Sequence, residues 1–186
     1  MSTEPFTDLW QRSFYGLSNH NSPALLLERT DNFTFTLKVG MKYKKQFDQC
    51  GVLVYVDDDN WFKASIEYEK EGVSRLGSVV TSFGYSDWAS NDCLQPGFIW
   101  YRLSRRGPDF LMEYSVDGES FKQLRIFHVH KLGQTTAEMG QAFLPLPTKQ
   151  EIRFGLYASS PLLSSFEAEF SDFKIEPCSW VSYDEA

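Results

Sequence analysis

An all-β fold, built as two sheets packed face to face, is what this chain of 186 residues predicts. Three observations carry the prediction. From residue 31 onward apolar and polar residues alternate, the period of two that places successive side chains on opposite faces of a strand. Each alternating run closes on Asp, Asn, Gly or Pro, the residues that make turns. No segment sustains a helical period beyond two turns, and no glycine-rich phosphate loop is present, which excludes a βαβ architecture and the nucleotide folds built on it. With roughly ten strands the choice lies between a sandwich and a closed barrel, and runs apolar on both faces, such as "SVVTSF", standing beside one-sided runs favour the sandwich.

The strands follow in order. In "NFTFTLKVG" the residues Phe33, Phe35, Leu37 and Val39 point one way and Thr34, Thr36 and Lys38 the other. "CGVLVYV" offers Val52, Val54 and Val56 to a core, and "WFKASIEY" offers Phe62, Ala64, Ile66 and Tyr68. Later strands read "FIWYRLSR", "DFLMEYSV", "FKQLRIFHV", "EIRFGLYAS" and "SFEAEFSDFKI", with Asp117-Gly118 as the strongest hairpin signal. Residues 132–149, with two "LP" dipeptides and mixed polarity, read as a long excursion covering one end of the sandwich. One β-sandwich domain spanning residues 1–186 is expected, and 42% hydrophobic with 16% aromatic content is ample for its core.

Charge and composition narrow the function. A net charge of -7 with scattered basic residues disfavours nucleic acid, and "KYKK" at 42–45 reads as a solvated strand end. No apolar run approaches the ~20 residues of a membrane span, and the first residues carry no signal-peptide pattern. Cys50, Cys93 and Cys178 are odd in number and far apart, so neither a disulfide framework nor a cysteine zinc site is indicated. The expectation is a soluble, cytoplasmic protein with no membrane and no nucleic-acid partner.

A hairpin between "DQCGVLVYV" and "WFKASIEY" organises the candidate site. Joined through a loop at Asp57, Asp58 and Asp59, with Asn60 free to turn left-handed, the strands set Val56 against Asn60, Val54 against Phe62, Val52 against Ala64 and Cys50 against Ile66. Both apolar sets then share one side. The other face carries Tyr55 beside Trp61, Leu53 beside Lys63, Gly51 beside Ser65 and Gln49 beside Glu67. An aromatic, a lysine, an amide and a carboxylate on adjacent strands, with small residues between them, suit a concave binding surface.

An ordered series of motifs also carries a resemblance: "FTDLWQRSFYG", "FDQCGVLVYVDDDNWFKASIEYE", "SVVTSFGYSDW", "IWYRLSRRG", "FLMEYSVDGESF", "RFGLYASSP" and "FEAEFSDFKI". Over residues 6–175 the chain resembles a family of concanavalin A-like β-sandwich proteins labelled "regulation of enolase". The resemblance implies a lectin/glucanase jelly roll of two antiparallel sheets and no agreed reaction. It places motif residues at Trp10, Tyr15, Gly16, Asp48, Gln49, Gly51, Trp61, Lys63, Glu67, Asp87 and Trp88.

Other patterns read more plainly. Glu67, Glu69 and Glu71 have the spacing of sandwich-glycosidase carboxylates, but the central aspartate is missing and Glu71 precedes Gly72 in a turn, so Glu69 and Glu71 are expected to be hydrated and Glu67 to line the cleft. Trp61 and Trp88 could offer flat platforms to sugar rings. The Asp57, Asp58, Asp59 and Asn60 tip invites calcium, and "HVH" at His128 and His130 invites zinc, yet neither supplies a full ligand set, so no metal or other cofactor is expected. The expected function is a non-catalytic binding or regulatory module whose ligand site comprises Gln49, Trp61, Lys63, Glu67, Asp87, Trp88, Trp10 and Tyr15. Its partner is a carbohydrate, a sugar phosphate or other small metabolite, or a protein such as a glycolytic enzyme. A glycoside hydrolase or lyase using Glu67 is the alternative.

Overall fold

The structure is a computed structural model that describes residues 1–136 and 150–180. A six-stranded sheet runs in the order β3 (Ala24–Arg29), β12 (Ile152–Ser159), β5 (Gln49–Asp57), β6 (Asn60–Lys70), β7 (Val73–Ser82), β8 (Tyr85–Cys93). A five-stranded sheet runs β11 (Lys122–His128), β10 (Asp109–Ser115), β9 (Phe98–Arg106), β4 (Phe33–Met41), β13 (Ala168–Pro177). Every ladder between these strands is antiparallel, and the two sheets form the sandwich that the alternation predicts, with the jelly-roll form that the resemblance implies. Among the described residues no helix is long and apolar enough to cross a membrane.

The core is made largely by the predicted apolar sets, although Val56 only packs against its edge and Tyr68 is half-buried outside it. Phe33, Phe35, Leu37 and Val39 of β4 face Val52 and Val54 of β5 and Phe62, Ala64 and Ile66 of β6 across the sandwich, all essentially without solvent contact. Burying one such side chain stabilises the fold by about 1.5–3 kcal/mol. Phe127 stacks on Phe62 at 3.9 Å and on Phe110 at 5.0 Å, tying the two sheets together. A charged residue is buried at one end of the sandwich. The fully buried Arg105 donates to the carbonyls of Gly107, Arg29 and Gln150 at 3.0, 3.3 and 2.6 Å, pinning three chain segments at one end of the sandwich. Burial pushes its guanidinium down to about 10.

The hairpin register agrees with the expectation from Gln49↔Glu67 through Tyr55↔Trp61. The tip differs. A bulge between Tyr55 and Asp57 brings Asp57, not Val56, opposite Asn60, so only Asp58 and Asp59 form the loop. Asn60 is a buried strand residue with no positive φ: its side chain donates to Asp57 at 2.7 Å and accepts from the Phe83 amide at 3.2 Å. At the other predicted turn, Gly118 adopts φ +81° while the Asp117 carboxylate accepts from the amides of Glu119 and Ser120. Of the expected excursion at 132–149, a short 3-10 turn at His130–Leu132 leads into it, and residues 137–149 lie outside the described residues.

The segment before residue 31 carries no clean period and still forms structure. β1 (Leu9–Gln11) and β2 (Ser18–His20) pair only with each other, and this small arm lies over the outer face of the six-stranded sheet. Leu9 seals Leu53, Trp61, Val79 and Tyr157 into a second apolar cluster there. Arg12 fastens the arm, donating to Asp59 at 3.0 Å and to the Gly84 carbonyl at 2.8 Å.

Candidate functional site in the trough of the six-stranded sheet

Alternation leaves one residue in two of β5, β6, β7 and β8 on the face away from the core. In the observed registers Gly51, Ser65, Gly77 and Ser90 stand side by side, one per strand, so a row of small residues crosses the sheet. On one flank stand Gln49, Glu67 and Arg75; on the other, Lys63, Val79 and Trp88. The N-terminal arm walls the row with Trp10 and Tyr15, which pack edge to face at 5.5 Å. The result is a cleft of about 840 Å³, within the size range of small-ligand sites.

Within it, a directed chain of hydrogen bonds runs across three strands. The Tyr157 hydroxyl of β12 donates to Gln49 Oε1 at 3.0 Å, which turns Gln49 Nε2 toward Glu67 Oε2 at 2.9 Å. Desolvation raises the Glu67 carboxyl to about 7; Lys63 and Arg75 oppose the rise while Asp8 and Glu69 add to it. Lys63, only 6% exposed at its side chain, pairs with Asp8 of the arm at 3.3 Å. Arg75 is held by Glu69 at 2.8 Å and by Asp92 at 2.9 Å. Trp88 leans over Gly77: a Cβ placed on that glycine would come within 3.1 Å of the indole Nε1.

Of the eight residues expected to form the site, Gln49, Lys63, Glu67, Trp88, Trp10 and Tyr15 line the cleft. Trp61 does not. It faces the same side as Lys63, but the arm covers it to 1% exposure, and its indole donates to the Asp58 carbonyl at 3.1 Å. Asp87 does not either, because its neighbour Trp88 takes the cleft face, so Asp87 projects to the opposite side and meets Arg125 of β11 at 3.2 Å. Glu69, expected to be hydrated, lies within β6 with its side chain 17% exposed against Arg75, whereas Glu71 is exposed in the turn. Sequence reasoning missed Asp8, Arg75, Gly77 and Tyr157. For Arg75 and Gly77 a signal existed: once β6 is fixed, pairing β7 to it with its apolar residues inward places them beside Glu67 and Ser65.

The candidate metal groups are occupied by the protein itself. Asp57 accepts from Lys131, Asp58 from the Tyr55 hydroxyl, and Asp59 from Arg12. His128 meets Asp109 at 2.7 Å, and His130 lies beyond the strand end, stacked on Phe83 at 3.7 Å.

A xylan β-1,4-xylosidase from Bacillus halodurans is similar at a TM-score of 0.59 with 11% identity, over 78% of this chain and 27% of that one, a likeness of fold alone. A functionally unknown protein from Saccharomyces cerevisiae superposes at a TM-score of 0.77 with 26% identity, over 95% of this chain and 86% of that one. "Regulation of enolase protein 1" of Saccharomyces cerevisiae is 26% identical over 178 residues, 94% of this chain and 79% of its own length. A family model matches residues 1–178, and the chain belongs to that family, described as "Protein of unknown function (DUF1349)".

Proposed function

We propose that this chain is a non-catalytic binding module that holds a carbohydrate along the trough of its six-stranded sheet, and that its occupancy serves a regulatory role. The observation that carries the proposal is the cleft floor at Ser65 and Gly77, flanked by the hydrogen-bonding side chains of Gln49 and Glu67 on one side and by the Trp88 ring on the other. A sugar ring offers apolar C–H faces to aromatic planes and hydroxyls to amides and carboxylates, and this cleft supplies both. A sugar phosphate fits less well, since both cleft cations, Lys63 and Arg75, are already paired with carboxylates. The regulatory role is supported by the name of the relative, "Regulation of enolase protein 1", with a protein such as a glycolytic enzyme as its object.

Calorimetric titration with neutral oligosaccharides tests the reading. Binding that weakens at least roughly tenfold in Trp88→Ala and Gln49→Ala, with the oligosaccharide recovered intact after long incubation, is expected. Failure of every oligosaccharide to bind would overturn it. A second reading, a hydrolase or lyase, is favoured by one observation: the Glu67 carboxyl is raised to about 7, where a group can transfer protons at neutral pH. Chain shortening that disappears in Glu67→Gln would establish that reading instead.

A further inference from the structure

The cleft has a charge left over. Its charged lining residues are Asp8, Lys63, Glu67, Glu69 and Arg75, three carboxyls against two cations. Asp8 answers Lys63, and Glu69 answers Arg75 with help from Asp92. Glu67 alone has no cation in hydrogen-bond contact. Its Oε2 accepts from Gln49, whose amide is oriented by Tyr157, and none of the described residues donates to its Oε1. The surrounding rings add a second preference. Trp10, Tyr15 and Trp88 all line the same cleft, and the negative faces of aromatic rings attract cations. A carboxylate lacking a counter-charge in an aromatic-walled cleft is the chemistry that selects an ammonium group. An anionic sugar would meet repulsion from Glu67 and no free cation to offset it.

We propose that the ligand of this cleft carries a protonated amine, as an amino sugar does, and that Glu67 receives it; the sugar part of this statement rests on the carbohydrate reading above. The ammonium stabilises the ionised carboxylate, which the site alone holds up at about 7. On the slightly acid side of neutrality, binding therefore releases a proton from Glu67 into solution, and affinity rises with pH until the amine loses its own proton. Lys63, Arg75, Asp8 and Glu69 are the charged groups that face Glu67.

The experiment compares three tetrasaccharides by calorimetry in buffers of differing ionisation enthalpy: a fully deacetylated chitosan oligomer, its N-acetylated counterpart and an unsubstituted cello-oligomer. The chitosan oligomer is expected to bind at least roughly tenfold more tightly than either neutral one, with proton release below neutrality. Glu67→Gln should bring the ratio between amine-bearing and neutral oligomers close to one and abolish the proton release, while Glu67→Asp, which keeps the charge, should leave the ratio above one. Equal affinities for all three oligomers, or a ratio unchanged in Glu67→Gln, would overturn the proposal and leave the carbohydrate reading standing. If no oligosaccharide binds but a simple diamine binds and Glu67→Gln removes it, the carbohydrate reading fails and the amine site stands. Binding of neither class sinks both.

Discussion

Gln49 and Glu67 face each other directly across β5 and β6, and the amide of the first donates to the carboxylate of the second at 2.9 Å. That contact does not offset the cost of drawing Glu67 out of water, so the folded protein holds its proton to about 7 against an ordinary value of 4.5.

A pH-dependent stability follows, with a definite sign. The folded state binds the Glu67 proton more tightly than the unfolded chain does, so this contribution is complete below about 4.5 and is lost as pH rises through about 7. Glu67→Gln removes the titration. Relative to that variant, the native protein should lose about 2 kcal/mol between these limits, roughly 3 being the ceiling set by the shift. Urea unfolding of both proteins across this range checks it, and parallel profiles would refute it.

Lys63 and Asp8 form one of the contacts that join the N-terminal arm to the six-stranded sheet. Asp8→Asn strands a nearly buried ammonium and should cost about 3 kcal/mol, as removal of one partner of a buried pair does. Lys63→Met should cost less, because Asp8 retains solvent contact at 21% exposure and can hydrate. The double variant should recover about 1–3 kcal/mol of the summed losses. Denaturant titration of all four proteins closes the cycle, and strict additivity would show that the pair does not couple.

Gly77 sets the position of the Trp88 ring. A methyl group there meets the Ala89 carbonyl at 2.8 Å as well as the indole, and the backbone cannot yield as a side-chain end can. Gly77→Ala should therefore destabilise by about 1–3 kcal/mol and displace the indole from the trough. Tryptophan emission should change in Gly77→Ala but not when Trp88→Phe is already present. An identical change in both backgrounds would mean that Trp88 does not rest on this glycine.

Most of the sandwich was legible because two apolar sets, on "CGVLVYV" and "WFKASIEY", can share one face in a single register. Gln49, Lys63 and Glu67 came with that register, being the residues left on the other side. What escaped depends on segments without a period. β1 and β2 pair only with each other, so nothing in their spacing shows that they fold over Trp61 and bring Asp8 to Lys63. Trp10 and Tyr15 were placed by family resemblance, not by pattern. Asp87 comes from the same resemblance, and it leaves the cleft because adjacent strand residues face opposite ways and Trp88 takes the cleft side. Hydration is the expectation for Glu69, yet β6 continues to Lys70 with an extra residue between Tyr68 and Lys70, which keeps Glu69 within reach of Arg75.

The small-residue row runs across the strands and not along one. Neighbouring strands lie about 4.8 Å apart, so on the proposed reading a ligand stretched in the trough would meet a new strand at each such step, and of the row it is Ser65 and Gly77 that line the cleft. Each position sits between two neighbours that face the interior. On the proposed reading, exchanges at Ser65 and Ser90 would alter ligand preference one strand at a time while the inward face that holds the two sheets together stays as it is, whereas at Gly51 and Gly77 an added Cβ would meet the Ala64 and Ala89 carbonyls at 1.9 and 2.8 Å.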